Sequence, residues 1–143
     1  MAMGHLLYIS DAVQPITEAD LESIRISSLR NNMLIDVTGV LFYSSGHFVQ
    51  LLEGDRDRIH KLYHTIEEDA RHCEPRVLVD CMATKRIFSE WSMGLLNLDT
   101  YSVEDRAKLD ELVALASQGD VNRDETPVEM EILSRFCMLL PVA

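Results

Sequence analysis

The residues able to do chemistry in this 143-residue chain are mostly uncharged. Gln50 lies inside His47-Phe48-Val49-Gln50-Leu51-Leu52-Glu53-Gly54, which otherwise reads as a buried strand. A primary amide is costly among apolar neighbours unless something there uses its donor and its acceptor. Tyr8, mid-way along Leu6-Leu7-Tyr8-Ile9-Ser10, brings a phenol that also wants a partner when buried. Asn31 and Asn32 add two amides where a first helix runs out, and Ile24 and Ile66 occupy matching apolar positions on two helices. A slot with one aliphatic side chain on each wall and amides at its edge suits a planar polar ring. Taken singly, each residue has an ordinary explanation: Gln50 a satisfied core amide or edge residue, Tyr8 core, Asn31-Asn32 a helix stop, Ile24 and Ile66 packing. Taken together, they would be a poor way to build a core.

Other chemistry is weaker. His60 and His64 stand four apart on a helix, but no third ligand or HExxH pattern accompanies them, and imidazoles on a solvated face explain them better. Cys73 beside His72 lacks an oxyanion-hole signal. No glycine-rich phosphate loop is present, and the reading is of a non-enzyme.

Positioning these residues requires a sheet and two helices. Leu6 to Ser10 is a first strand, followed by the turn-forming stretch Asp11 to Pro15. Thr17 with Asp20 resembles a capping box and opens a helix through Leu21, Ile24, Ser28, Asn31 and Asn32. Thr38 to Tyr43 and His47 to Glu53 form a hairpin around Ser44-Ser45-Gly46. Asp55 caps a second helix in which Ile59, Leu62, Tyr63 and Ile66 recur at helical spacing, stopping near Arg71-His72. Arg76 to Met82 and Ser92 to Leu98 are two more strands, with a tight helical turn expected over Thr84 to Trp91. The order βαββαββ predicts an α+β, ferredoxin-like fold: a mixed five-stranded sheet with two helices on one face.

A boundary is expected near Asp99, giving a domain over 1–98 and a C-terminal helical extension over 99–143. The extension should hold helices over Tyr101 to Ala116 and Thr126 to Leu140, around a Gly119-Asp120 break. Val128, Ile132, Leu133, Phe136, Leu139 and Leu140 make a stripe that must cover the open sheet face or a partner. That exposed face predicts a homo-oligomer, a dimer or a larger ring.

The net charge of −11 argues against nucleic acid and anionic membrane. The residues after Leu98 carry ten acidic against four basic side chains, so six of the eleven excess negative charges sit there. No apolar run approaches the roughly 20 residues of a spanning helix, and Met1 to His5 lacks a signal peptide's basic start. Cys73, Cys81 and Cys137 are odd in number without CxxC spacing, so reduced thiols and a cytoplasmic setting are expected.

Six segments then align with one family. Leu7-Tyr8-Ile9-Ser10, Arg30-Asn31-Asn32, Thr38-Gly39-Val40-Leu41, Phe48-Val49-Gln50-Leu51-Leu52-Glu53-Gly54, Asp69-Ala70-Arg71-His72 and Trp91-Ser92-Met93 resemble, in order and spacing, the signatures of BLUF domains, the blue-light sensors using FAD. The resemblance spans about Met3 to Leu98.

It implies FAD, or FMN or riboflavin, held non-covalently between the two helices. Ile24 and Ile66 would flank the ring; Asn32 would bind its pyrimidine edge, with Asn31 and Ser28 nearby; Arg71 and His72 would lie towards the ribityl and phosphate end. Thr65 stands where the family usually has a further basic residue, which weakens the expected phosphate grip. Tyr8 and Gln50 would be the photoactive pair: Tyr8 yields an electron and a proton, and Gln50 relays between phenol and ring. Trp91 and Met93 would belong to the strand that carries the change outward, and sequence leaves open which approaches Gln50. Both are equally readable as core residues. The implied partner is an unidentified downstream signalling protein. The alternative is a light-insensitive ferredoxin-like interaction module, against which the presence of both Tyr8 and Gln50 argues.

Overall fold

β1 (Met3–Ala12) carries the apolar run around Tyr8 and continues two residues past Ser10. These elements come from a computed structural model describing residues 2–70, 72–118, 122–123 and 133–140. α1 (Glu18–Leu34) opens on the expected capping box: Asp20 N donates to Thr17 Oγ1 at 3.1 Å, and Thr17 N to Asp20 Oδ2 at 3.0 Å. β2 (Thr38–Ser44) and β3 (His47–Asp55) form the hairpin. Its link is only Ser45-Gly46, at φ 50° and 83°, because Ser44 still pairs with His47; two positive φ values suit the primed turn that matches strand twist. α2 (Arg56–Glu67) is capped by the Asp55 carboxylate, which accepts from Arg58 N at 3.2 Å.

β4 (His72–Met82), β5 (Gly94–Asn97), α3 (Val103–Gln118) and a two-residue β6 (Asn122–Arg123) complete the described elements. The sheet order is β5-β2-β3-β1-β4-β6. β1 pairs antiparallel with β3 and β4, and β2 with β3; the β2–β5 and β4–β6 pairs are parallel. This is the α+β, ferredoxin-like mixed sheet of five strands, extended at one edge by a short sixth.

Two local expectations are corrected. Residues 84–93 form turns, not a helical turn, and β5 starts at Gly94, so Trp91 and Met93 precede the strand. The cause is where the backbone groups of this segment are satisfied. Ile87 N and Phe88 N donate to the Glu53 carboxylate at 2.5 and 2.8 Å, and Trp91 O accepts from Gly39 N at 3.0 Å. Gly39 is itself required by the neighbouring strand: a Cβ there would lie 2.0 Å from Leu51 O of β3.

Period-two alternation sorts the sheet into two faces. Leu6, Tyr8, Leu41, Phe48 and Leu52 pack with Leu21 of α1 and with Ile59 and Tyr63 of α2. Leu7, Val40, Phe42, Val49 and Leu51 form the other core with Leu109 and Leu112 of α3 and with Leu133, Phe136 and Leu140. The Phe42 and Phe136 rings meet edge-on at 4.9 Å. The face for which the sequence demands a cover is covered, among the described residues, by the chain's own C-terminal side chains. Of the second tail helix, Leu133 and Ser134 are helical and lead into a 3-10 turn, Arg135–Leu139. The Gly119-Asp120 break, Val128 and Ile132 lie outside the described residues. So does Arg71.

Candidate functional site

Tyr8 of β1 and Gln50 of β3 are direct cross-strand partners on the helix-covered face, both within 4% of complete burial. Tyr8 Oη donates to Gln50 Oε1. Gln50 Nε2 in turn donates to Met93 Sδ at 3.4 Å. The amide that looked misplaced in a buried strand therefore has its acceptor and one of its two N–H donors engaged. Burial pushes the Tyr8 phenol well above its ordinary range, with smaller contributions from Tyr63 and the Asp69 carboxylate. Tyr8 consequently holds its proton at Oη and keeps it directed at the amide oxygen. The Tyr63 ring stands edge-on to Tyr8 at a centroid distance of 5.2 Å.

Met93, and not Trp91, approaches Gln50. Trp91 is half-buried and packs with the opposite core, its ring 6.3 Å from Phe88. The three-residue segment Trp91-Ser92-Met93 crosses from one face of the sheet to the other, so its two large side chains cannot share a side.

A cleft opens between α1 and α2, lined by Tyr8, Ile24, Ser28, Leu41, Phe48, Gln50, Ile66 and Asp69. Ile24 and Ser28 stand one turn apart on α1, and Ile66 faces them from α2. Its make-up is typical of small-molecule and cofactor sites: apolar walls with a few converging polar groups. That lining suits a flat heteroaromatic ring with polar edges. The aliphatic side chains can lie against ring faces, and Gln50, Ser28 and Asp69 can meet ring-edge atoms.

Two expected residues stand elsewhere, and the side chains of two more lie outside the description. Asn31 is exposed and does not line the cleft. Asn32 is buried, and its Nδ2 donates to Ser92 O at 2.7 Å; it too is absent from the lining. Adjacent residues on a helix point roughly 100° apart, so only one of the two amides can turn inward. Arg71 is not described, and His72 opens β4 with its side chain likewise outside the description. Conversely, Leu41, Phe48 and Asp69 line the cleft without having been singled out. Phe48 and Leu41 were detectable by period two, being respectively two residues from Gln50 and directly opposite it. Asp69, three past Ile66, sits beyond the end of α2, where helical periodicity gives no guide.

The two histidines of α2 are occupied separately. His60 Nε2 pairs with Asp80 Oδ2 at 2.8 Å, alongside Arg56 on Asp80 Oδ1 at 2.8 Å, and His64 Nδ1 pairs with Glu67 Oε1 at 3.0 Å. Among the described residues no group of three potential metal ligands assembles. Nor, among them, is any helix long and apolar enough to cross a membrane.

Comparison with known proteins agrees with this geometry. Residues 3–94 match the family described as "Sensors of blue-light using FAD". The photoactivated adenylate cyclase subunit beta of Euglena gracilis is 36% identical over 89 residues, covering 62% of this chain and 10% of that protein. The blue light- and temperature-regulated antirepressor BluF of Escherichia coli (strain K12) is 34% identical over 92 residues, covering 64% of this chain and 22% of that protein. The chain thus spans only a tenth to about a fifth of the length of these two relatives. Among solved structures, the dark state of the BLUF protein BlrB superposes with a TM-score of 0.75 at 29% identity, covering 96% of both chains. With the family's sequence model matched over most of the chain, and a phenol–amide pair at the wall of an interhelical cleft, this chain belongs to the BLUF family of blue-light sensors using FAD.

Proposed function

We propose that this chain is a blue-light photoreceptor in which Tyr8 and Gln50 convert light absorption into a rearranged hydrogen-bond network. The observation that carries this reading is the buried chain Tyr8 Oη to Gln50 Oε1, and Gln50 Nε2 to Met93 Sδ, at the cleft wall. FAD, when bound, supplies the blue-light absorption and a strongly oxidising excited state. The ring would lie between Ile24 and Ile66 with Ser28, Gln50 and Asp69 at its edge. Asn31 and Asn32 are assigned to the neighbourhood of the ring, and Arg71 and His72 to the phosphate end.

The protein's part is to hold and move a proton. Tyr8 is neutral at rest, so on losing an electron it can release its Oη proton along the existing bond to Gln50 Oε1. An amide that gains this proton on oxygen and loses one from nitrogen becomes its imidic tautomer, with donor and acceptor exchanged; the electron and the nitrogen's proton would pass to the bound flavin, and both would return to restore Tyr8. Rotation of the side-chain amide exchanges them equally well. Either outcome changes the group that Gln50 presents to Met93 Sδ, and with it the hold on Met93 and the segment behind it. A side chain without both functions, such as Leu, could not make this exchange.

We read residues 1–98 as the sensor and the C-terminal residues as its route to an unidentified signalling protein. The seating of Leu133, Phe136 and Leu140 on the sheet supports that route, since a cover on one face can respond to changes on the other. The output is taken to be binding, because the family-matched part is a sensory domain. The test is direct. Purified chain supplied with FAD should bind it and show a small red shift of its flavin absorbance under blue light that reverses in the dark. Tyr8→Phe should bind flavin but show no shift, and a normal photocycle in that variant would refute the mechanism.

A further inference from the structure

Both carboxylate oxygens of Glu53 accept two hydrogen bonds each, yet Glu53 lies on the face of β3 opposite Gln50. Its exposure is 0%. Oε2 accepts from His5 Nε2 at 2.9 Å and from Ile87 N at 2.5 Å; Oε1 accepts from Thr38 Oγ1 at 3.1 Å and from Phe88 N at 2.8 Å. Four donors converge on an acceptor-only group, which is the arrangement that makes burying a carboxylate affordable. Two of those donors belong to the backbone that leads to Met93. Arg86 reinforces the anchor, donating to Thr38 Oγ1 at 3.0 Å and to Asp36 O at 2.8 Å.

From this anchor the segment wraps around the sheet edge. Gly39 N holds Trp91 O at 3.0 Å, Asn32 Nδ2 holds Ser92 O at 2.7 Å, and Met93 then meets Gln50. We propose that Glu53 is a positioning residue of the photoactive site: by fixing Ile87 and Phe88 it sets where Met93 Sδ stands against Gln50, and so sets the resting bond pattern and the lifetime of the light state. This rests on the photoreceptor reading above.

The variant that separates this from general stability is Glu53→Gln. Glutamine can keep the oxygen that serves Thr38 and Phe88, and its amide nitrogen can donate to His5 in the other ring tautomer. Ile87 N would then face a donor, the one bond that cannot be rescued. Flavin-loaded protein, kept dark, is examined by amide hydrogen exchange, and its light-state recovery is timed by absorbance. Exchange at Ile87 should rise by about tenfold or more, the worth of one buried hydrogen bond, with Phe88 much less affected. Recovery should change at least about threefold, with the resting absorbance band displaced, because the Gln50 bond geometry has moved.

Should Glu53→Gln fail to fold, Thr38→Val removes isosterically the hydroxyl that donates to Glu53 and accepts from Arg86, and should move Ile87 exchange and recovery in the same direction by less. A wild type with no light-induced shift removes the reading on which the inference rests. A photoactive wild type whose Glu53→Gln and Thr38→Val variants recover at its own rate with an unmoved band overturns the inference alone, even if Ile87 exchange is faster.

Discussion

The two faces of the sheet are built from alternate residues of the same strands, and they differ in what fills them. On the α3 side, Phe42, Val49, Leu51 and Val79 meet Leu112, Leu133 and Phe136, all at most 2% exposed. On the α1–α2 side, the same strands place Tyr8, Gln50 and Phe48 at the wall of the interhelical cleft. One face stabilises and the other binds. A strand can serve both because consecutive residues never share a side. The cost of keeping a polar pair and a cleft on one side is offset by dense apolar packing on the other.

Mutations on the two faces should therefore separate stability from photochemistry. Phe42→Ala, with its ring removed from contact with Phe136, should cost about 3–5 kcal/mol in denaturant unfolding while the folded fraction keeps its light-induced shift. A loss of the shift in folded Phe42→Ala would break the separation. On the cleft side, Ile66→Ala removes one wall and should weaken flavin affinity by about 1.5–3 kcal/mol in a flavin titration, the value of burying such a side chain. Unchanged affinity would remove Ile66 from the binding surface.

A smaller effect is expected where β5 meets the tail. A Cβ on Gly94 would stand 2.9 Å from Leu140 Cδ2, the end of a side chain that can give way. Gly94→Ala should lower stability by about 1 kcal/mol, in the range of mild overpacking, and leave flavin affinity alone. The smallest effect is on pH dependence. Tyr8 has its phenol pKa raised above the ordinary value of 10.0, chiefly by burial. The folded chain thus holds the proton more tightly than the unfolded one. That contribution is fully present below about pH 10 and is lost as pH rises through the folded value. Unfolding measured at stepped alkaline pH should show a decline that Tyr8→Phe lessens, and an identical decline in both proteins would contradict the assignment.

What could be read from the sequence was what local periodicity encodes. Tyr8 and Gln50 stood out because a polar atom interrupts an apolar strand; Ile24 and Ile66 because helical spacing repeats; the Thr17–Asp20 cap because its bonds span three residues. What escaped depends on contacts distant in sequence. The path of residues 84–93 follows from bonds linking Glu53 to Ile87 and Phe88, Gly39 to Trp91, and Asn32 to Ser92. None of these pairings leaves a trace in a local window, so Trp91 and Met93 were assigned to a strand that begins one residue after Met93. Asp69 escaped for a related reason, since it lines the cleft from a position past the helix that positions it. The tail was legible as amphipathic, but its stripe fits a partner as well as the chain's own sheet, and only packing decides between them.

The central claim is that the Gln50 amide is the switch. It is tested most directly by the blue-light difference spectrum of flavin-loaded Gln50→Leu beside wild type. Leucine is close in volume and keeps the cleft apolar but has neither donor nor acceptor for Tyr8 Oη and Met93 Sδ. The account predicts retained flavin binding and no red-shifted light state. A reversible red shift of wild-type size in Gln50→Leu would contradict it.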